Sequence, residues 1–277
     1  MATKLSLTNP LLTPEQWSQP PSRIAKVPAP LETQIRHFAC ELIEAAGILL
    51  SLPQVAMATA QVLLQRFYYV ASITQFSVRD TMMACLFLAS KLEECPRKVK
   101  DIINVFDYVV KRRRNLLITP LEMFSQAFYE MKNGLIIAEL QLLKQLGFNV
   151  QVQLPYGLLV TYLQCLGLVH HPQIPQLAWN YLNDALRTCV YVCYQPPTIA
   201  SAAIFLAARQ CQCKLPTQPP WWTVFDANLD DMIYISGHIL SLYETPLPTN
   251  IPLTCEELES YLENVQAPLS NSPSDQV

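Results

Sequence analysis

The sequence predicts an all-α protein built as two tandem helical bundles, on three observations. Apolar residues recur at helical spacing through most of the 277 residues. Gly is scarce, with only 6 residues, which disfavours a hairpin-rich β protein because tight hairpin turns want Gly at positive φ. And the chain repeats itself: Met83–Lys91 (MACLFLASK) aligns without gaps on Ser201–Arg209 (SAAIFLAAR), an offset of 118 residues that also sets Ala60 on Ala178 and Leu64 on Leu182. That offset is too long for a solenoid unit and reads as a domain duplication.

Between two Pro-rich ends the pattern gives about ten helices. The first spans about Leu31–Ala46, with Ile35, Phe38 and Leu42 on one face, and the second about Gln54–Val70. The third, about Val78–Glu94, starts at a capping-box-like Ser77/Asp80 and is ended by Pro96. Its middle, TMMACLFLAS, is apolar on every side. Such a helix belongs at the centre of a bundle, and its small residues Ala84, Ala89 and Ser90 let neighbours approach. A fourth helix spans about Arg97–Val110, after which Lys111, Arg112, Arg113 and Arg114 form a basic loop. A fifth is expected to start at Thr119 as N-cap, with Pro120 and Glu122 behind it, and to stop at Gly147. The second copy begins at Pro155–Gln164 and is shorter, lacking the insertion around 111–133.

The expected organisation is therefore an extended N-terminal arm (1–30), a first five-helix bundle (31–150), a second (151–244) and a Pro/Ser-rich C-terminal tail (245–277). A short amphipathic helix is expected near Thr254–Asn264, where Thr254 and Glu257 have capping-box spacing.

Composition removes several function classes. A net charge of −3 and a pI near 5.8 argue against direct nucleic-acid binding, which rests on many Lys/Arg–phosphate contacts. The charge-free stretches Ala45–Gln65 and Gln145–Asn183 are interrupted by Pro and Gln and read as buried helices rather than membrane spans. Nine Cys without framework spacing read as reduced thiols, and Cys211/Cys213 lack a second ligand pair, so no metal or cofactor is expected. No phosphate loop, nucleophile elbow or paired helical His is present, so the chain is expected not to be an enzyme. Charged residues make up only 15%, and a surface this short of charge calls for a partner.

Here the residues resemble a family. FLASKLEECPRKVKDIINVF (87–106) looks like the first box of a cyclin, and two tandem five-helix boxes are the cyclin fold. The segments at 40–69, 138–150 and 178–209 are similar to the L-type cyclins in particular. The resemblance implies a regulatory subunit that binds and activates a cyclin-dependent kinase, of the PITSLRE type. The implied setting is transcription and pre-mRNA splicing regulation, with transcription or splicing proteins as substrates of the complex and a nuclear location shared with the cytoplasm. Long L-type cyclins carry an Arg/Ser-rich tail; residues 246–277 hold none, so the sequence reads as a short form. Matching positions put Lys91 and Glu139 against the kinase helix, with Leu88, Leu143, Phe148 and Val150 as apolar neighbours. By pattern alone Lys91 and Glu139 also fit an internal ion pair or solvated helix ends. Lys111–Arg114 fits either a nuclear-localisation or acidic-partner patch or a solvated loop. Two rival functions stand beside the cyclin one: a helical scaffold without a kinase, and a general transcription factor with a cyclin-like fold.

Overall fold

A computed structural model describes residues 8–244, 248 and 250–266. Among them the regular structure is helical: α1 (Pro14–Ser18), α2 (Pro21–Ile24), α3 (Ala29–Leu49), α4 (Gln54–Tyr68), α5 (Val78–Leu92), α6 (Val99–Arg113), α7 (Gln126–Gln145), α8 (Tyr156–Cys165), α9 (Ile174–Ala185), α10 (Val190–Cys193), α11 (Pro196–Gln210), a 3₁₀ turn (Trp221–Phe225), α12 (Leu229–Ser241) and α13 (Cys255–Gln266).

Helix α5 is the axis of the first bundle. The Ser77 hydroxyl accepts from the Asp80 amide at its start, and ten of its side chains are buried against α3, α4, α6 and α7. Helix α11 plays the same part among α8, α9, α12 and the 3₁₀ turn. Shifted by 118 residues, α5 falls on α11 end for end. The repeat read in the sequence is thus one helix built twice, its all-round apolar surface satisfied each time by a ring of neighbours. In the second copy the 15-residue α6 is replaced by the 5-residue 3₁₀ turn. That turn is anchored by buried Trp221 and by Phe225 stacked on Tyr162.

The two bundles share a seam along α4. Its Ala58 and Val62 belong to the second hydrophobic core while its Ala60 and Leu64 belong to the first. Polar groups fix the register across it: Gln54 Nε2 donates to Asn183 Oδ1 (3.1 Å), and Arg187 reaches Glu41 (3.4 Å) and Glu44 (3.0 Å). No helix among the described residues is long and apolar enough to cross a membrane.

Four expectations need correction. The fifth helix starts at Gln126, capped by Ser125 Oγ, and not at Thr119. Capping chemistry permits a helix start, but burial of an apolar stripe decides it. Before Phe128 the segment has no fully buried side chain, and Phe124 is exposed. Lys111–Arg114 is not a loop: α6 runs to Arg113, because cations suit a helix C-terminus and find partners there. Lys111 pairs with Asp107 (2.7 Å), Arg113 with Glu41 (3.0 Å) and Arg114 with Glu257 (2.8 Å).

The N-terminal arm is not extended throughout either. Pro14 and Pro21 sit in first helical turns, where a missing N–H costs nothing, and Thr13 and Gln16 form a reciprocal capping box. Trp17 stacks on Tyr69, and the Leu12 amide donates to Val192 O. Finally, residues 250–266 are more than a tail. The helix expected there forms, with Thr254 Oγ1 accepting from the Glu257 amide. It folds back so that Ile251, Leu253 and Leu258 complete the core of the first bundle.

Glu257 is the pin of this returning strap. It takes both Arg114 nitrogens at 2.8 Å and the Leu253 amide at 2.8 Å. The Arg114 hydrogen bonds lead the causes that hold its carboxyl down at about 2, from an ordinary 4.5. A depressed carboxyl contributes stability that is present above the unfolded value and lost as pH falls toward the folded one. Acid unfolding followed by circular dichroism is therefore expected to be steeper between pH about 4.5 and 2 in the wild type than in Glu257→Gln. Equal slopes would mean the strap is held by its apolar residues alone.

Candidate functional site

The residues that the sequence resemblance assigns to a kinase surface meet where the C-terminal turn of α5 crosses α7. Lys91 lies in the last turn of α5, where the helix dipole favours a cation, and its ammonium sits 4.0 Å from the centre of the Phe87 ring. It pairs with the carboxylate of Glu139 on α7. The Lys91 side chain is 41% exposed and that of Glu139 16%, so the pair is open on one side. An ammonium has three donors and a carboxylate about four acceptor sites, so this contact leaves capacity on both groups for a partner's backbone.

Leu88 is buried at 6% exposure, one turn before Lys91, and forms the floor. Leu143 and Val150 are half-buried against the first core. Phe148 is the outlier, 71% exposed. It follows a Schellman stop, in which the Phe148 amide donates to Leu143 O (2.9 Å) and Gly147 amide to Lys144 O (3.1 Å). Both Gly147 and Phe148 have φ near +60°. For a bulky residue that conformation costs on the order of 1–2 kcal/mol. An aromatic held out in solvent on a strained turn is a feature of ligand-contacting sites.

The structure also adds residues that sequence reasoning missed. Ile136 and Leu140 on α7 are exposed within a turn of Glu139, Ile137 is exposed on the opposite face of that helix, and Leu92, next to Lys91 in the chain, is exposed. Tyr129, Ile136, Leu140 and Leu143 follow one another at spacings that place them on one stripe of α7, on the side away from buried Leu135 and Leu142. The signal was present in the run GLIIAELQLL, which is apolar on more faces than one core contact can use. Leu92, Ile136 and Leu140 thus put exposed apolar surface on the two helices that carry the ion pair.

The duplication supplies an internal control. Arg209, the counterpart of Lys91, lies over Phe205, the counterpart of Phe87, at 4.8 Å. Among the described residues no carboxylate comes within ion-pair distance of Arg209. Only the first bundle joins its cation to an acid, so only there is a two-signed polar centre set in apolar surface. The basic run is elsewhere, at the end of α6, with Arg112 exposed and its three neighbours paired. Among the described residues no three His, Cys, Asp or Glu could hold a metal ion.

Residues 11–151, which hold this site, match the family model described as the N-terminal domain of cyclins. The chain belongs to the cyclin family. Its curated relatives include cyclin-L1 of Homo sapiens, 44% identical over 92% of this chain and 48% of that protein. Cyclin-L2 of Mus musculus is 45% identical over 86% of this chain and 46% of that protein. This L-type cyclin thus spans about half the length of the curated relatives it matches. Among solved structures, a chain of the yeast RNA polymerase II CTD kinase complex CTDK-1 superposes with a TM-score of 0.67 at 16% identity, covering all of this cyclin and 89% of that chain. A chain of the yeast TFIIK complex superposes with a TM-score of 0.58 at 18% identity, over 83% of this cyclin and 95% of that chain. These superpositions establish the shared fold.

Proposed function

We propose that this cyclin is a non-catalytic subunit that binds and activates a cyclin-dependent kinase through the Lys91–Glu139 surface. The observation that carries the reading is a partly exposed ion pair whose two helices also expose Leu92, Ile136 and Leu140, with Phe148 exposed just beyond α7, on a chain otherwise poor in charge. A polar centre beside apolar surface is how a short partner helix is gripped: apolar anchors supply affinity and the polar centre fixes register. Lys91 and Glu139 bond the backbone leading into the kinase's mobile αC helix, and Leu88, Leu143, Phe148 and Val150 take its apolar face.

Activation then follows as a population shift. A cyclin that contacts αC only in its inward position stabilises the state in which αC's Glu pairs with the ATP-binding Lys. The cyclin contributes differential binding and no bond-making chemistry. The proposal extends to a PITSLRE-type partner, substrates among transcription and splicing proteins, and residence in the nucleus, with Arg112 and its basic neighbours as a localisation patch.

The test exploits the fact that the two charges pair with each other. Exchanging them (Lys91→Glu with Glu139→Lys) keeps the internal pair and the fold but presents the wrong sign at each end to the kinase. Co-purification and kinase activity are expected to be lost while circular dichroism is unchanged. Wild-type binding by the exchanged variant would place the interface elsewhere.

A further inference from the structure

A second, unrelated cluster sits on the seam between the arm and both bundles. There a cavity of about 190 Å³ is lined by Arg23 from the arm, Arg36 from α3 and Arg187 from the second bundle. No Asp or Glu lines it. The carboxylates that steady these arginines belong to Glu32, which takes Arg23 Nε (3.1 Å) and Arg36 Nη2 (3.6 Å), and to Glu41 and Glu44, which take Arg187. None of the three glutamates is part of the wall. The guanidinium groups are thus held by acids that lie outside the wall.

The hydrogen-bond census agrees. Among the described residues Arg23 is bonded only through Nε, and its terminal nitrogens find no partner there. Arg36 is 4% exposed, its Nη1 has no hydrogen-bond partner among the described residues, and neither has Arg187 Nε. Trp17 and Tyr69 close one side, and the wall's hydroxyls, on Thr33, Thr188 and Ser241, donate to the carbonyls of Ala29, Ala185 and His238. His37, also in the wall, feels the same field: burial first, then the Arg187 charge, lowers its pKa to about 4.

We infer that this cavity binds a phosphoryl group, which would tie the N-terminal arm to both bundles. Three guanidiniums drawn from three parts of the chain suit a compact, doubly charged, tetrahedral oxyanion better than a planar monoanion. A ligand that bridges separate segments of the folded state, and finds no such site in the unfolded one, raises the melting temperature by mass action. The inference is independent of the kinase-binding reading, because none of these residues belongs to the Lys91–Glu139 surface.

Thermal melts of the whole chain test it, with inorganic phosphate, acetate and potassium chloride titrated at matched ionic strength. Phosphate at ten times its dissociation constant is expected to raise the melting temperature by roughly 3–5 °C, saturably, with acetate and chloride without effect. Arg23→Gln, a partly exposed position that should not threaten folding, is expected to weaken phosphate about tenfold, and Arg187→Gln likewise. Arg23→Gln should also leave kinase co-purification intact. A peptide carrying phosphoserine that binds more tightly than inorganic phosphate would identify a phosphorylated side chain as the source of the group. Equal or weaker binding would identify free phosphate. The inference is overturned if acetate or chloride matches phosphate, or if both variants respond as the wild type does.

Discussion

Reversing Lys91 alone (Lys91→Glu) is expected to cost about 2–5 kcal/mol in kinase affinity, which removes detectable complex at micromolar concentrations. Two effects add in the same direction. The partner loses its cationic contact, and two carboxylates now face each other on α5 and α7, of which Glu139 is only 16% exposed. The fold should survive, because the Lys91 side chain is 41% exposed and a surface ion pair contributes about 0–1 kcal/mol to stability. Comparison with the charge exchange separates the roles. If Lys91 mattered only for holding α5 on α7, adding Glu139→Lys to the single variant would restore binding. A docking role predicts no rescue. Isothermal titration against purified kinase, with melting temperatures of all three proteins, reads both quantities.

The second large effect concerns the paired central helices. Leu86 and its counterpart Ile204 are both completely buried, each at the middle of an axis helix. Alanine at either position is expected to cost about 2–5 kcal/mol, the lost transfer energy plus the cavity left behind. At 2–4 °C per kcal/mol for a chain of this size, the melting temperature should fall by about 4–20 °C. Because α4 contributes to both cores, the two variants should each broaden or lower a single transition. Two separate transitions, with each variant moving only one, would show that the bundles fold as independent units despite that shared helix.

The elements easiest to read in the sequence were those whose information is local. Helices α5 and α11 announced themselves because a helix apolar on all sides has one available environment, and because the duplication printed the pattern twice. Helix α7 was misplaced at its start because Thr119, Pro120 and Glu122 carry capping chemistry that nothing tertiary rewards. The basic run was misread for a related reason: its partners Glu41 and Glu257 lie 72 and 143 residues from Arg113 and Arg114, beyond any sequence window. Ile251 and Leu253 lie in a Pro-rich stretch whose local pattern says nothing of the first core they join.

The candidate site divides in the same manner. Lys91 and Glu139 were singled out by family likeness, and their mutual pairing was one of the alternatives that pattern left open. The exposed Ile136 and Leu140 were visible only as surplus apolar content until α7 was oriented. Orientation is a tertiary property: it needs Leu135 and Leu142 to be assigned inward before their neighbours can be assigned outward.

The strap also sets a schedule for biosynthesis. A ribosome finishes α7 long before it reaches Leu258, and at about 5–20 residues per second the interval is on the order of ten seconds. Throughout that time the nascent first bundle lacks Ile251, Leu253 and Leu258, and Arg114 waits for its acid. The bundle that emerges first is therefore among the last parts of the molecule to be completed. A transcript or protease that removed only the final strap would leave behind a chain with its earliest-made domain permanently unfinished.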